Sequence, residues 1–380
     1  MEFDLPEHGF VFYPVGTGDS TTIAVDEETI VQVDLRALEC ADEEADPHFA
    51  IVDALIERLP ERDGKRYLAA FGLTHADKDH CLGFKELLGR DDVIIGELWF
   101  SPRVLWEHDD LSEDAKAFCA EAERRIKVNC QGPADSGDRI RVIGDQDVLE
   151  EYDGLPEDCL MTPGQWFTEL DGEDKTDVFH AFIHAPFRED AERDRNATSM
   201  GLKITLTNYE ATGRVMLLGD LEYPAIRRIF DRSDADALSW NLFLAPHHCA
   251  DSVMYCDNEQ GVEELKQDIL DDVEANAKTP NWIVASCDPI PTTNKPGDNP
   301  PHARAKREYE KIADEFLVTG EWPNRDEPEP MVFELTTDGL VLRDPAGERA
   351  KAAPLTAAIA GARGDDQTPS KRTAFGRFPR

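Results

Sequence analysis

The sequence predicts an α/β fold, on three grounds. Apolar runs of strand length alternate with stretches whose apolar residues recur at helical spacing. Several of those runs stop at a cluster of Gly, Asp or His, as a buried strand does when it delivers its end to a loop at a sheet edge. Of the 380 residues, 41% are apolar, enough for a sizeable core.

Taken in order, Gly9–Tyr13 and Thr29–Val33 read as strands leading into Val15-Gly16-Thr17-Gly18-Asp19-Ser20 and into Asp34. Phe49–Leu59 places its apolar residues at helical spacing and stops at Pro60. Tyr67–Leu73 is an unbroken apolar run that feeds Thr74–His80. Gly83–Leu88 continues as a helix, and Val93–Phe100 is the next strand. Ser112 caps a helix running from Ala115 to Val128, and Arg139–Ile143 is a short β-like piece in a Gly-, Asp- and Pro-rich stretch. Val178–His184 is a strand whose His180 and His184 share one side, as core or rim residues. Val215–Leu218 and Asn241–Ala245 are strands. Gly261–Ala277 and Pro301–Phe316 read as charged helices, the second carrying Arg304, Lys306, Arg307 and Lys311, a basic face for phosphate or for solvent. Met331–Leu335 and Leu340–Leu342 flank Asp338-Gly339, a favourable hairpin turn.

The densest chemistry lies in His75-Ala76-Asp77-Lys78-Asp79-His80, two imidazoles and two carboxylates on one loop. Donors at that spacing can converge on divalent ions, and imidazole with carboxylate suits zinc and manganese. By itself the segment also reads as a polar loop capping a helix. The later motifs add weight through their order. Gly219-Asp220 follows one strand, where alone it would be a turn, and His247-His248 follows another. Cys249, next to His248, is either a thiolate near a metal or packing beneath the site.

That order resembles the metallo-β-lactamase fold superfamily, and within it the ComEC-type, competence-protein-like branch of soluble hydrolase domains. The resemblance rests on Val15–Ser20, with Thr17 where the branch has Gln; on the HxDxDH of His75–His80; on Gly219-Asp220; and on His247–Ser252, with Cys249 in place of Gly. Arg195–Ile204 is similar to the branch's NNxSLVL strand, and Asn299-Pro300-Pro301-His302 to its late loop. The resemblance implies a four-layer αββα sandwich over residues 1–345. Residues 107–172 are unmatched, an insertion that walls the pocket or elaborates the surface. Two divalent ions, zinc or manganese, or a single one, are implied. His75 and Asp77 would serve one, Asp79, His80 and one of His247 and His248 the other, with Asp220 bridging. Turnover should depend most on Asp79 and Asp220. Asn196 and Ser199 stand where a third histidine belongs, so the first site is expected to be poor in nitrogen and inclined to manganese or magnesium. Asp19 and Asp34 are expected either to orient imidazoles or to stabilise turns. Asn196, Ser199, Cys249 and His302 are further candidates beside metal or substrate.

A water held between two dications becomes a nucleophile near neutral pH. The branch is associated with phosphodiester cleavage, so a phosphodiesterase or nuclease acting on DNA or a small nucleotide is the leading expectation. Acyl or thioester hydrolysis by the same fold and a non-catalytic metal-binding interaction protein are the alternatives.

Charge narrows the substrate. Forty basic against 79 acidic residues give a formal net charge of −39. Such a chain repels long polyanions unless basic residues are focused at the site, which favours short or single-stranded substrates. The eight cysteines form no CxxC pair and read as reduced, mostly buried thiols. No apolar run approaches the roughly 20 residues of a membrane span, and the N-terminus lacks the basic and apolar regions of a secretory signal. A cytoplasmic protein without membrane contact is the expectation. Residues 346–380 read as a disordered tail.

Overall fold

Two mixed β-sheets face one another and each is covered on its outer side by helices, a four-layer αββα sandwich. The computed structural model describes residues 3–345 apart from 44, 107–110, 191–194 and 296, so the tail expectation at 346–380 lies outside the described residues. The chain divides into Met1–Leu342, which carries both sheets, and Arg343–Arg380.

Among the described residues the first sheet has ten strands, one of which, Glu61–Arg62, pairs antiparallel with Lys65–Leu73 off the main order. From one edge it runs through the hairpin Gly339–Leu342/Met331–Thr336, then Gly9–Phe12, Thr21–Asp26 and Thr29–Val33, all antiparallel. It continues in parallel through Lys65–Leu73, Val93–Phe100, Arg139–Ile143 and Leu160–Met161. Among the described residues the second sheet has seven strands. Glu315–Val318, Ala277–Ala285, Trp240–Leu244 and Ala211–Leu217 are parallel, followed by antiparallel Gly201–Asn208, Phe179–Ala185 and Trp166–Phe167.

Period-two patterning sorts the side chains into three cores. Leu242 and Leu244 face the first sheet, whereas Phe243 and Ala245 face the outer helices Tyr223–Arg232, Gln267–Asn276 and Ala303–Ile312. In Lys65–Leu73, Phe71 and Leu73 pack outward, while Ala70 faces the second sheet. A Cβ on Gly72 would lie 3.2 Å from the Trp99 ring, so the missing side chain admits that indole.

Much of the unmatched 107–172 segment is built into this frame. The helix Glu113–Asn129, capped by Ser112, sets Phe118 against Phe71, Phe84 and Phe100. Arg139–Ile143 and Leu160–Met161 extend the first sheet. Two helix expectations are corrected. Gly261–Ala277 splits into a strand, Glu263–Leu265, paired with Tyr255–Asp257, and a helix, Gln267–Asn276. Pro301–Phe316 is helical over Ala303–Ile312, after which Glu315–Val318 becomes an edge strand that buries Leu317 and Val318. In both, pairing with a neighbouring strand outweighed helical propensity.

Parallel pairing puts several strand ends at one edge of the sandwich. Val33 pairs with Gly72, so Asp34 emerges beside Thr74, and the Asp34 N–H donates to the Gly72 carbonyl at 2.8 Å. Met216 pairs with Phe243, and the His247 N–H reaches the Gly219 carbonyl at 2.9 Å.

Candidate metal centre

The HxDxDH loop, the Gly-Asp turn and the His-His turn, far apart in sequence, meet at that edge. Asp220 lies at the middle with its side chain 4% exposed. Its Oδ1 is 3.1 Å from His80 Nε2 and 3.4 Å from His248 Nε2. Its Oδ2 is 3.6 Å from both His75 Nε2 and His247 Nε2. Asp79 Oδ2 joins the first group, 3.3 Å from His248 Nε2, and Asp77 Oδ2 the second, 3.7 Å from His75 Nε2. One carboxylate thus stands between two half-sites of imidazole nitrogen and carboxylate oxygen.

The backbone aims these groups at some conformational cost. His247, His248 and Cys249 all have positive φ, at 50°, 52° and 68°. Left-handed conformations in three successive non-glycine residues bring both imidazoles to Asp220, His247 at Oδ2 and His248 at Oδ1, and such strain persists where surrounding structure fixes it. Cys249 occupies the position where the resemblance expects Gly, and its φ is one that glycine adopts freely. At Gly219 (φ 51°) a Cβ would lie 3.0 Å from Ser199 Cβ and 3.1 Å from Thr74 Cβ. At Gly18 it would lie 2.6 Å from the Asp79 carbonyl oxygen. Those two glycines let the Asp220 and Asp19 turns close onto the loop.

An outer ring of carboxylates and hydroxyls fixes the imidazoles. Asp34 accepts from the Thr74 N–H at 2.8 Å and the Thr74 hydroxyl at 2.7 Å, and its Oδ2 is 2.7 Å from His80 Nδ1. Asp19 Oδ1 lies 3.2 Å from His248 Nδ1. Ser199 Oγ is 3.3 Å from His75 Nδ1 and accepts from the Asp220 N–H at 3.3 Å. Asn196 Nδ2 is 3.5 Å from His247 Nε2. Asp19, His80, Asp220 and His248 can all place a donor atom within 4.8 Å of one another. The Asp19 contact is to the ring nitrogen away from Asp220, so Asp19 is better suited to holding His248 than to touching an ion, and Asp79 faces the inner nitrogen.

The electrostatics are those of a cation site. Burial and the neighbouring His80 push His75 below its ordinary pKa, which keeps a lone pair available. Burial opposes charging of His80, yet Asp220 and Asp34 hold it well above 6.5. Burial likewise opposes His248, but Asp220 and Asp19 raise it to about 10. Asp220 is buried, yet His248, His80 and His75 keep it well below the usual carboxylate range. His75 Nε2 and Asp220 Oδ1 are buried without a well-formed hydrogen bond. Buried donors left unsatisfied in this way fit divalent ions on both sides of Asp220.

Two expectations change. The first half-site is not poor in nitrogen, because His247 enters it beside Asn196 and supplies the second imidazole. Cys249 and His302 are not brought to the centre. The Cys249 thiol lies in the core between the second sheet and its helices. His302 accepts from the Asp251 N–H at 3.1 Å and sits 3.0 Å from the Asp298 carbonyl, bracing a loop.

Other residues at the centre had no distinct motif. Glu222 Oε1 is 3.6 Å from His247 Nδ1, and Arg195 donates to Asp77 Oδ1 at 2.6 Å. Arg36 lies over the Gly16–Gly18 turn, with Asp79, Asp288 and Asp19 as its charged neighbours. Proximity in sequence was the one available signal: Glu222 is two residues past Asp220, Arg36 two past Asp34, and Arg195 precedes Asn196.

No protein-family model matches the chain, and no curated protein matches it. Among solved structures, the chain is similar to a B3 metallo-β-lactamase with an active-site glutamic acid, at 11% identity and a TM-score of 0.35, covering 72% of this chain and 87% of that one. A likeness of that size leaves the chemistry to be read from this chain's own residues.

Proposed function

We propose that this chain is a metal-dependent hydrolase that cleaves phosphodiesters in short, single-stranded or small-nucleotide substrates. The observation that carries the reading is Asp220, whose two oxygens face two separate sets of imidazole and carboxylate donors. His75, His247 and Asp77 on one side of Asp220, and His80, His248 and Asp79 on the other, would hold divalent ions, and a pair of ions suits in-line displacement at phosphorus. When bound, such ions supply Lewis acidity toward a phosphoryl oxygen and a water of lowered pKa.

The chain's own residues supply the orientation. Asp34 and Asp19 fix the rings of His80 and His248, and Ser199 and Asn196 stand against His75 and His247. Arg195 holds Asp77, and with Arg103, Ser101 and Thr198 it lines a small recess beside His75. In a chain of net charge −39, arginines focused there favour a small anionic group over a duplex. The helix Ala303–Ile312, with its basic face, pairs three of its four cations with carboxylates instead: Arg304 with Asp251 and Glu263, Lys306 with Glu321, Lys311 with Glu308.

The test is turnover of bis(p-nitrophenyl) phosphate by stripped protein reloaded with manganese or zinc, beside an aryl ester and a thioester. Phosphodiester turnover that disappears in Asp220→Asn is expected. Ester or thioester hydrolysis without phosphodiester cleavage at full metal occupancy would overturn the substrate class, and no turnover of any of the three would overturn the hydrolase.

A further inference from the structure

We propose that Cys40, Asp46 and His48 form a separate metal site, of the kind that takes zinc, on the loop between the strand Thr29–Val33 and the helix Ile51–Arg58. Their donor atoms all lie within 4.8 Å of one another, and the three residues are partly buried. Thiolate, imidazole and carboxylate together are a zinc-type donor set, and three protein ligands leave a fourth position for water.

The arrangement around His48 is what distinguishes this cluster from a chance grouping of polar side chains. Its Nδ1 faces Asp46 Oδ1 at 2.7 Å, and the Cys40 side chain hydrogen-bonds to the same Asp46 carboxylate. Its Nε2, on the opposite side of the ring, is 3.0 Å from Asp288 Oδ1. A metal-bound histidine typically gives its other ring N–H to a carboxylate, which fixes tautomer and orientation. Asp288 is itself held, because its Oδ2 accepts from the Thr17 N–H at 3.2 Å and the Thr17 hydroxyl at 3.1 Å. The Asp46 carboxylate is placed by the His48 N–H at 2.9 Å.

The fit requires only a small movement. Zinc bonds of about 2.0–2.1 Å at a tetrahedral angle set nitrogen and oxygen about 3.3 Å apart, so ring and carboxylate would part by roughly half an ångström. Side-chain exposures of 22% for His48 and 19% for Asp46 leave the ion a route in and a water a place to bind. An ion there would tie the 40–48 loop, through His48 and Asp288, to Thr17, two residues before Asp19. The site would thereby brace the rim of the main centre without sharing a ligand with it.

Cobalt(II) is the probe, because a cobalt–thiolate bond gives a charge-transfer band and the main-centre donors are imidazoles and carboxylates. We expect the band in the wild-type protein and in Asp220→Asn, its loss in Cys40→Ser and in His48→Ala, and one equivalent less bound cobalt in each of those two. Cys256→Ser should keep the band, and circular dichroism of every variant should match wild type. No thiolate band at saturating cobalt, or a band that survives Cys40→Ser, would overturn the site. Because the readout is spectroscopic and is repeated in Asp220→Asn, its failure is distinct from failure of the hydrolase reading.

Discussion

Replacing Asp34 separates orientation of the metal centre from its ligands. Asp34 is 1% exposed, has φ 55°, and receives the Thr74 N–H, the Thr74 hydroxyl and His80 Nδ1 at 2.7–2.8 Å. Asp34→Asn keeps the shape, and Asn tolerates the left-handed backbone. It removes the charge and sets an NH2 against a group that is itself a donor. Loss of such an orienting carboxylate typically weakens metal binding about 10–100-fold, or about 1.4–2.8 kcal/mol. Asp34→Ala adds left-handed strain of about 1–2 kcal/mol. It also leaves the buried Thr74 N–H unpaired, at about 1–3 kcal/mol, so the stripped protein should lose about 2–5 kcal/mol of unfolding free energy. Chelator competition reads the first effect and urea unfolding the second. Zinc affinity in Asp34→Asn equal to wild type would refute the orienting role. Equal stability of the Asn and Ala variants would refute the energetic argument.

Zinc binding at pH 7.5 should release protons, because burial fails to offset Asp220 and Asp19 and leaves His248 at about 10 in stripped protein; a binding enthalpy that is the same in buffers of different ionisation enthalpy would contradict this. Burial depresses His184 to about 3, against about 6.5 in the unfolded chain, so the folded state binds fewer protons and stability is lost as pH falls below 6.5. The unfolding free energy of wild type relative to His184→Gln should fall by about 2 kcal/mol between pH 7 and pH 5, and a flat difference in parallel urea titrations would contradict it. Gly219→Ala should destabilise by about 2–4 kcal/mol, because it combines left-handed strain with contacts near 3.0 Å to Ser199 and Thr74; a urea midpoint like wild type would contradict it. Arg195→Ala should cut bis(p-nitrophenyl) phosphate turnover about tenfold, or about 1.4 kcal/mol, with metal content unchanged, and full activity would remove Arg195 from substrate binding.

The sequence made the strands around the centre legible because each is an apolar run that ends abruptly. Tyr67–Leu73 before His75, Val215–Leu218 before Asp220 and Asn241–Ala245 before His247 all lie where their patterns place them. Charged stretches were less legible. Glu263–Leu265 and Glu315–Val318 owe their extended form to the partners Tyr255–Asp257 and Ala277–Ala285, which no local propensity reports. The role of His247 escaped for a different reason. Adjacent histidines look equivalent in sequence, and the successive left-handed φ values that send one imidazole to each side of Asp220 are a property of the folded turn. Arg36 and Arg195 reach the centre across tertiary distance, with only their sequence neighbours to mark them.

The most direct measurement is an anomalous-scattering map of crystals grown with manganese or zinc. The account predicts two peaks flanking the Asp220 carboxylate about 3.5–4 Å apart, one beside His80 and His248 and the other beside His75 and His247. Peaks confined to sites remote from Asp220, or none at saturating metal, would contradict it.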